Sequence, residues 1–385
     1  MGANPAGLGF LRASELNLGV AGASTYSHFV KSTNGDGYLD TWPGAFPEFA
    51  LAYPVGKSPF TLGISFVRDS VLSTDRHYVD PPGGPGGANS YGFLEPESQF
   101  SVYRSAAGVG VTLGKHWSIG GDIGLLLNEN NLKSPYAFQT QPVLNGDNDL
   151  LDLITTGLGV DGRFGVLYSA NDDLQFGVSY KSSSRVDSSG DASGDAGAQF
   201  ALESLPFHYN AEIVDHFPKM VVGGLSWRFH PKWRLALQVD WINWGSSLRE
   251  LPVSPANGNN STFNTVAGSS SIQDSTPLNW LDKFVYRGGL EYTISENFLA
   301  RVGYCYGASP IPTSTLTSLT AAIVENTLTA GLGYHWKKFT LDLAYQWDVP
   351  TTRYIATSGL LSGDYSSSST KVGVHWLALT AGLKF

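Results

Sequence analysis

The chain has 385 residues and a formal net charge of −9, and only 15% of its residues are Asp, Glu, Lys or Arg, against roughly 25% in an average globular protein. The acidic balance disfavours a nucleic-acid partner, because binding to phosphates requires a basic face. The single cysteine, Cys305, excludes an internal disulfide and any metal site built from several cysteines.

The hydropathy pattern excludes membrane-spanning helices but fits a barrel wall. Mean hydropathy is −0.08, and the sequence has no run of about 18 apolar residues. Glycine is abundant, at 45 residues, and aromatic residues reach 12%. In a transmembrane β-barrel, lipid-facing and lumen-facing residues alternate, so average hydropathy stays near neutral.

The first residues precede any strand pattern. Residues 1–8 contain neither the basic region nor the apolar region of a signal peptide. Because an outer-membrane barrel needs such a signal, we expect the natural start to lie upstream. Two units are predicted, a short N-terminal segment at 1–14 and a barrel at 15–385.

Strict alternation of apolar and polar residues then recurs along the chain and predicts an all-β protein. The clearest example is 339–347, where five apolar or aromatic residues alternate with Thr, Asp, Ala and Gln. Fourteen antiparallel strands are predicted, an even number as a single-chain bacterial barrel requires. They lie at 15–26, 48–54, 60–69, 97–113, 117–129, 158–169, 174–182, 218–229, 233–244, 283–293, 298–306, 326–336, 339–347 and 371–385.

The connections between these strands alternate strictly between long and short. Six are short and seven are long and rich in Gly, Ser, Asn, Asp and Pro. Outer-membrane barrels have short periplasmic turns and long external loops. The pattern therefore predicts a Gram-negative outer-membrane protein with both termini in the periplasm, surrounded by outer-membrane lipid. A monomer is expected.

Aromatic residues cluster at strand ends and predict the girdles found at membrane interfaces. The members of these clusters are Trp117, Trp227, Phe229, Trp233, Trp241, Trp244, Tyr334, Trp336, Phe339, Trp347 and Phe385. In the last strand, Val372, Val374 and Trp376 fall on the opposite parity to Leu377 and Leu379. This change of parity predicts a β-bulge near 375–376.

Charged residues on the lumen parity have two interpretations. A charge facing lipid near the bilayer centre would cost roughly 2–4 kcal/mol, so these residues are expected inside. They either form a structural network of ion pairs, or some bind a ligand carboxylate. The candidates for carboxylate binding are Arg163, Arg287 and Arg301.

Apolar residues also occur in the long loops, where they could form a hydrophobic entrance to the barrel. An exposed apolar patch commonly marks a binding site. Leu126 and Phe138 lie near the third long loop, and Phe200 and Phe207 lie in the fourth. The alternative is that these four residues pack the loops against one another.

Catalysis is not indicated by the sequence. None of the eight histidines stands beside a serine with a third orienting group, so an outer-membrane lipase is a weak hypothesis. No histidine pair has the spacing of a metal site. We therefore expect no enzyme activity, no cofactor and no metal.

Several short blocks resemble the FadL/TodX family of outer-membrane transporters for long-chain fatty acids and aromatic hydrocarbons. The blocks are 4–8 (NPAGL), 15–19 (ELNLG), 240–244 (DWINW), 286–292 (YRGGLEY), 301–304 (RVGY), 309–312 (SPIP), 331–334 (GLGY) and 341–345 (LDLAY). No single block is specific, but their order and spacing extend over nearly the whole chain.

The resemblance implies a 14-stranded barrel plugged by an N-terminal hatch, of which Asn4, Pro5 and Ala6 are a remnant. It also implies passive uptake of a hydrophobic ligand, which leaves laterally through an opening at a kinked third strand, here 60–69. The family hatch has about thirty residues before this motif, whereas three stand here. The alternative function is a barrel subunit that binds partner proteins in a secretion or outer-membrane assembly machine. A laterally open apolar tunnel would favour transport over that role.

Overall fold

The structure is a computed structural model that describes residues 4–31, 35–41, 45–75, 78–79, 93–94, 97–317, 320–361 and 365–385, with the backbone alone for 35–41, 45, 70–75, 78–79, 93–94 and 97. Fourteen strands form the wall. They are β1 Glu15–Lys31, β2 Ala45–Pro54, β3 Phe60–Asp75, β4 Glu97–Leu113, β5 Trp117–Ala137, β6 Asn148–Ser169, β7 Leu174–Lys181, β8 Met220–His230, β9 Trp233–Ile242, β10 Lys283–Thr293, β11 Phe298–Gly307, β12 Asn326–Trp336, β13 Phe339–Ile355 and β14 Ser368–Lys384.

The wall closes on itself through antiparallel pairing of each strand with the next. The ring is completed by β14 and β1, which pair without interruption from Glu15 opposite Lys384 to Lys31 opposite Ser368. The predicted fold class and the count of fourteen strands are confirmed. Several strands extend beyond the sequence estimate at the long-loop end, for example β5 to Ala137 and β13 to Ile355.

The short turns all lie at one end of the barrel. They occupy 55–59, 114–116, 170–173, 231–232, 294–297 and 337–338. Both termini of the wall reach this same end, where the Phe385 amide donates to the Ser14 carbonyl at 3.0 Å. The alternation of short and long connections therefore predicted correctly which end of each strand faces the termini.

The long loops carry secondary structure of their own. The hairpin Ser184–Asp195 with Pro206–Phe217 continues the sheet above β6. The other elements are the strands Gly35–Thr41, Tyr78–Val79, Phe93–Leu94, Glu250–Val253 and Asp274–Pro277, the helices α1 Trp244–Ser247 and α2 Ser261–Ala267, and the 3₁₀ helices Gly197–Phe200 and Thr313–Thr315. A compact apolar core under this hairpin includes Leu144 and Phe263, both fully buried.

The outer face of the wall is an apolar belt. Ile123, Val160 and Leu332 expose more than half of their surface, as expected of side chains that face lipid. Aromatic pairs lie beside the short turns, including Trp117 with Tyr168 at 4.5 Å between ring centroids and Phe298 with Tyr334 at 4.8 Å. Among the described residues, none of the helices has the length and apolar character needed to cross a bilayer.

The bulge predicted in the last strand is wrong. β14 pairs with β1 through His375 and Trp376 without a shift, and the irregularity lies instead in β13, between Asp348 and Thr351. Val372 and Trp376 keep one parity throughout and face the barrel interior, whereas Leu377 faces outward. The prediction failed because Val372 and Trp376 are apolar residues on the inner face, and an apolar residue on that face resembles a change in the strand's alternation.

Candidate functional site

A large cavity of about 820 Å³ opens inside the long-loop half of the barrel, a volume within the usual range for small-molecule sites. Most of its wall is apolar. The aromatic lining residues are Phe29, Phe46, Phe100, Tyr136, Phe217, Trp244, Trp280, Tyr365 and Trp376, and leucines, isoleucines and valines from several strands and loops join them. Its polar members include Glu48, Arg68, Asp69, Asp215 and Lys283.

Three tryptophans of this wall were not recognised from the sequence as site residues. Trp244 lies in α1 and packs edge-on against Trp280 at 5.1 Å between centroids, so its assignment to the interface girdle is wrong. Trp376 lies on the inner face of β14, 6.3 Å from Phe46. The sequence could have identified Trp376, because its position in the alternation of β14 places this aromatic side chain in the lumen, where it can contact a ligand.

A β-bulge interrupts β3 beside the cavity. Arg68 pairs with Tyr103 and Ser70 pairs with Val102, so Asp69 is an extra residue in the ladder with β4. A bulge changes the alternation of sides, and here both Arg68 and Asp69 line the cavity. The irregularity falls at the end of 60–69, the segment for which the family resemblance implied a kink.

The wall also loses backbone pairing next to this bulge. β2 pairs with β1 as far as Ala45, but within the described residues its pairing with β3 stops at Phe49 opposite Phe66. If this register continued, residues 45–48 of β2 would lie opposite residues 67–70 of β3, but no ladder joins these two stretches. We call this separation the β2–β3 gap.

Asp69 is fixed in place by two cations from the opposite strands. Arg163 on β6 donates to one carboxylate oxygen at 2.6 Å, and Lys181 on β7 donates to the other at 2.9 Å. All three side chains are mostly buried. Removing one partner from a buried ion pair typically costs about 3–5 kcal/mol, so the carboxylate is a strong anchor for the bulge.

A second, fully buried ion cluster lies beside the first. Arg104 on β4 donates to Asp122 on β5 and, at 2.7 Å, to Asp161 on β6. None of these side chains exposes more than 1% of its surface. Arg104 has room because β5 has a glycine at 124, where an added Cβ would approach the guanidinium carbon to 2.5 Å.

The other two predicted arginines line a second, smaller cavity of about 560 Å³. Arg287 pairs with Asp240 at 3.0 Å, and Arg301 pairs with Glu291 at 2.8 Å and with Asp342 at 2.6 Å. Arg163, Arg287 and Arg301, the three arginines predicted to bind a ligand carboxylate, therefore each have an acidic partner in the protein. Their surroundings match the alternative prediction, a structural network of ion pairs.

The segment before β1 is a 3₁₀ helix, Pro5–Phe10, that lies inside the barrel against β4, β5 and β6. Asn4 caps it through the Ala6 amide at 2.9 Å and donates to the carbonyls of Val166 and Val178 at 3.3 and 3.1 Å. Ser118 donates to the Ala6 carbonyl at 2.6 Å. The predicted hatch residues are thus bonded directly to the wall.

Three glycines of adjacent strands make room for this helix. Gly110 pairs with Gly120, and Gly120 pairs with Gly165, so they form one row across β4, β5 and β6. A Cβ at Gly120 would lie 2.5 Å from the Pro5 carbonyl oxygen, and one at Gly110 would lie 2.6 Å from the Leu8 Cβ. We call this row the glycine cradle.

The four loop residues proposed for ligand capture pack into protein. Phe138 and Phe207 belong to the buried loop core, and Phe200 packs against it. Leu126 is buried with Val102 and Val186 inside the barrel. The large cavity is lined by neighbours such as Tyr136 and Leu132 instead.

One buried acid borders the cavity from the loop hairpin. Asp215 accepts from Asn128 at 2.5 Å and from Asn130 at 2.9 Å. Burial raises the pKa of Asp215 above its usual value, although these hydrogen bonds act in the opposite direction. The carboxylate thus joins the hairpin to the outer half of β5.

The model of the family described as outer membrane protein transport protein (OMPP1/FadL/TodX) matches residues 1–385. Among solved structures, the chain is similar to the P. putida toluene transporter TodX (18% identity, 99% of this chain and 92% of that chain, TM-score 0.78) and the Ralstonia pickettii toluene transporter TbuX (18%, 99% and 92%, 0.74). It is also similar to a Pseudomonas aeruginosa FadL homologue (14%, 99% and 93%, 0.75). The sequence matches none of the curated proteins.

Proposed function

The chain belongs to the OMPP1/FadL/TodX family of outer-membrane transport proteins, and we propose that it takes up uncharged hydrophobic small molecules through the large cavity. The single observation that carries the proposal is the aromatic-lined space of about 820 Å³ that adjoins the β2–β3 gap. A polar solute would gain little from such a wall, whereas an apolar one transfers favourably from water.

The route follows from the order of these features along the barrel. A ligand enters among the long loops, occupies the large cavity and leaves sideways through the β2–β3 gap into the membrane. This geometry is the one that favours transport over a partner-binding role, and the comparisons lend no support to that alternative.

Hydrocarbons fit this site better than fatty acids. A carboxylate would have to compete with Asp69, Asp240 or the Glu291–Asp342 pair for Arg163, Arg287 or Arg301. Arg68, which lines the large cavity itself, lies with its guanidinium against the Phe46 ring. Displacing a buried acid from its cation is costly. The TodX and TbuX structures are those of toluene transporters, which agrees with a neutral ligand for this chain.

We further infer how the chain sits in the membrane and how it is assembled. Residues 1–14 act as the end of a hatch, since the helix Pro5–Phe10 is held inside the barrel. Both termini face the periplasm, because they lie at the end with the short turns. The chain works as a monomer in the Gram-negative outer membrane, without enzymatic activity.

A reversible crosslink across the β2–β3 gap tests the route. If the ladder continued, Glu48 would lie opposite Val67, so we expect E48C/V67C, in a C305S background, to close the gap when oxidised. Uptake of toluene by cells with this protein in the outer membrane should fall on oxidation and recover on reduction. The matched control is A50C/S65C, whose residues are already paired, and it should leave uptake unchanged.

Two results would contradict the proposal. Purified protein that binds no hydrocarbon, together with normal uptake in a deletion strain, would exclude the function itself. Full uptake through oxidised E48C/V67C protein, with the crosslink verified by mass spectrometry, would exclude the lateral route only.

A further inference from the structure

Arg68 makes an unusual set of contacts for a cation inside a barrel. Its guanidinium carbon lies 3.8 Å from the centroid of the Phe46 ring and 5.6 Å from that of Tyr103. One terminal nitrogen donates to Ser101 at 2.5 Å. Its Nε is buried and has no hydrogen-bond partner among the described residues.

The bulge explains why rings surround this cation. Asp69, the next residue, shares the cavity with Arg68 but is already bonded to Arg163 and Lys181. The nearest carboxylate in sequence is therefore committed elsewhere, and the Arg68 guanidinium lies against the face of Phe46. A cation within about 6 Å of a ring centroid is attracted by the quadrupole of that ring.

The contact also spans the β2–β3 gap. Phe46 belongs to β2 and lies beyond Phe49, the last residue of β2 paired with β3, and Arg68 lies beyond its partner Phe66. Where the backbone ladder has ended, a side-chain contact joins the two strands. Both residues line the large cavity, so a ligand leaving through the gap must pass this pair.

We propose that Arg68 is a specificity-determining residue that binds the face of an aromatic ligand, which takes the place of the Phe46 ring over the guanidinium. The inference rests on the proposed function and deepens it. An aromatic ring replaces one cation–π contact with another, so the exchange opens the gap at little cost. A saturated ring of the same size lacks the quadrupole and leaves the cation facing an apolar surface.

Toluene and methylcyclohexane test this, because both have seven carbons and only one has a π face. Binding to purified protein is measured by headspace gas chromatography, with protein-free micelles subtracted. We expect the intact protein to prefer toluene about three- to thirtyfold, the range that a cation–π contact supplies. R68M should bring the preference to about onefold with methylcyclohexane binding retained, and R68K should keep part of the preference.

Matched variants separate this role from others. K283M removes another positive charge that lines the same cavity and should leave the preference intact; an equal loss in K283M would overturn the proposal. F46L removes the competing ring, so toluene should bind severalfold more tightly. Weaker toluene binding in F46L would overturn the exchange.

Three further outcomes would overturn the role of Arg68. The first is that R68M keeps the preference for toluene over methylcyclohexane, and the second is that R68M loses binding of both hydrocarbons equally. The third is that the intact protein binds benzoate more tightly than toluene and that R68M no longer does so. The last result would mean that the guanidinium recognises a carboxylate. If neither hydrocarbon binds the intact protein, the proposed function fails; if both bind equally, only the assignment of Arg68 fails.

Discussion

Replacing Gly120 by alanine tests whether the wall holds the N-terminal helix through its glycine cradle. The added Cβ would lie 2.5 Å from the Pro5 oxygen, 2.6 Å from the Pro5 carbonyl carbon and 2.7 Å from the Ala6 nitrogen. All three are backbone atoms, so no side chain can rotate away. Since ordinary carbon contacts begin near 3.4 Å, the helix must move by roughly 1 Å.

The size of the effect follows from what that movement disturbs. Overpacking of this kind costs typically 1–3 kcal/mol. Part of that cost is strain on the hydrogen bond from Ser118 to Ala6 and on those made by Asn4, each worth about 1 kcal/mol when intact. We therefore expect docking of the helix to weaken by about 1–3 kcal/mol, which corresponds to about 5- to 150-fold in the docking equilibrium.

Thiol labelling measures this equilibrium. Leu8 is 4% exposed, so L8C in a C305S background reports undocking through its reaction rate with a water-soluble maleimide. We expect G120A to raise that rate by the same factor. The control G121A lies on the other face of β5, where the nearest atom is 3.5 Å away, and should label at the parental rate.

Equal labelling of G120A and G121A would refute the reasoning, provided that both barrels are intact by their heat-modifiable migration on gels. It would mean that the helix is not held by close contact with the cradle. A failure of G120A to form a barrel would be recognised in the same gel, and G110A, which adds a Cβ near Leu8, would then replace it.

The remaining predictions concern the buried acids. D69A should lower the free energy of unfolding by about 3 kcal/mol, measured by denaturant titration, whereas D187A, at an exposed pair, should leave it unchanged. D274A should increase proteolysis of the third long loop, because Asp274 accepts from the backbone of Gln139, Thr140 and Gln141. The raised pKa of Asp215 means that its contribution to stability increases as pH falls through that pKa, the reverse of a paired acid. Hairpin proteolysis should therefore slow on acidification more in the intact protein than in D215N, and equal pH dependence would contradict this.

The barrel could be predicted because its signals are local. Alternation within a strand and the lengths of connections are visible in short windows, and the count of fourteen follows from them. The family resemblance implied a kink within 60–69 but not the bulge at Asp69, since a bulge is defined by pairing with β4, which the sequence of β3 does not encode locally. The partners of Arg163 were hidden for the same reason, because Asp69 lies 94 residues away.

Residues in the loops were the least predictable. Trp244 and Trp280 meet only because the long segment between β9 and β10 folds back on itself. The sequence predicts Phe138 and Phe207 at a hydrophobic entrance to the barrel. Their positions depend instead on the loop core, which is built from segments that are far apart in the sequence. The glycine cradle was equally hidden, since Gly110, Gly120 and Gly165 become neighbours only through the strand register.

The order of features along β4, β5 and β6 explains why a ligand should leave sideways. Each of these strands has the same three features in the same order, counted from the short-turn end of the barrel. The glycine of the cradle is first, a charged residue of the Arg104–Asp122–Asp161 cluster is second, and the wall of the large cavity is third. An apolar ligand that moved straight down this side would have to separate a dry ion cluster, at about 3–5 kcal/mol for each broken pair. Passage through the β2–β3 gap requires only that Arg68 leave Phe46, a contact worth about 2 kcal/mol that an aromatic ligand restores. The buried charges therefore do more than fill the lumen, because they make the lateral path the less costly one.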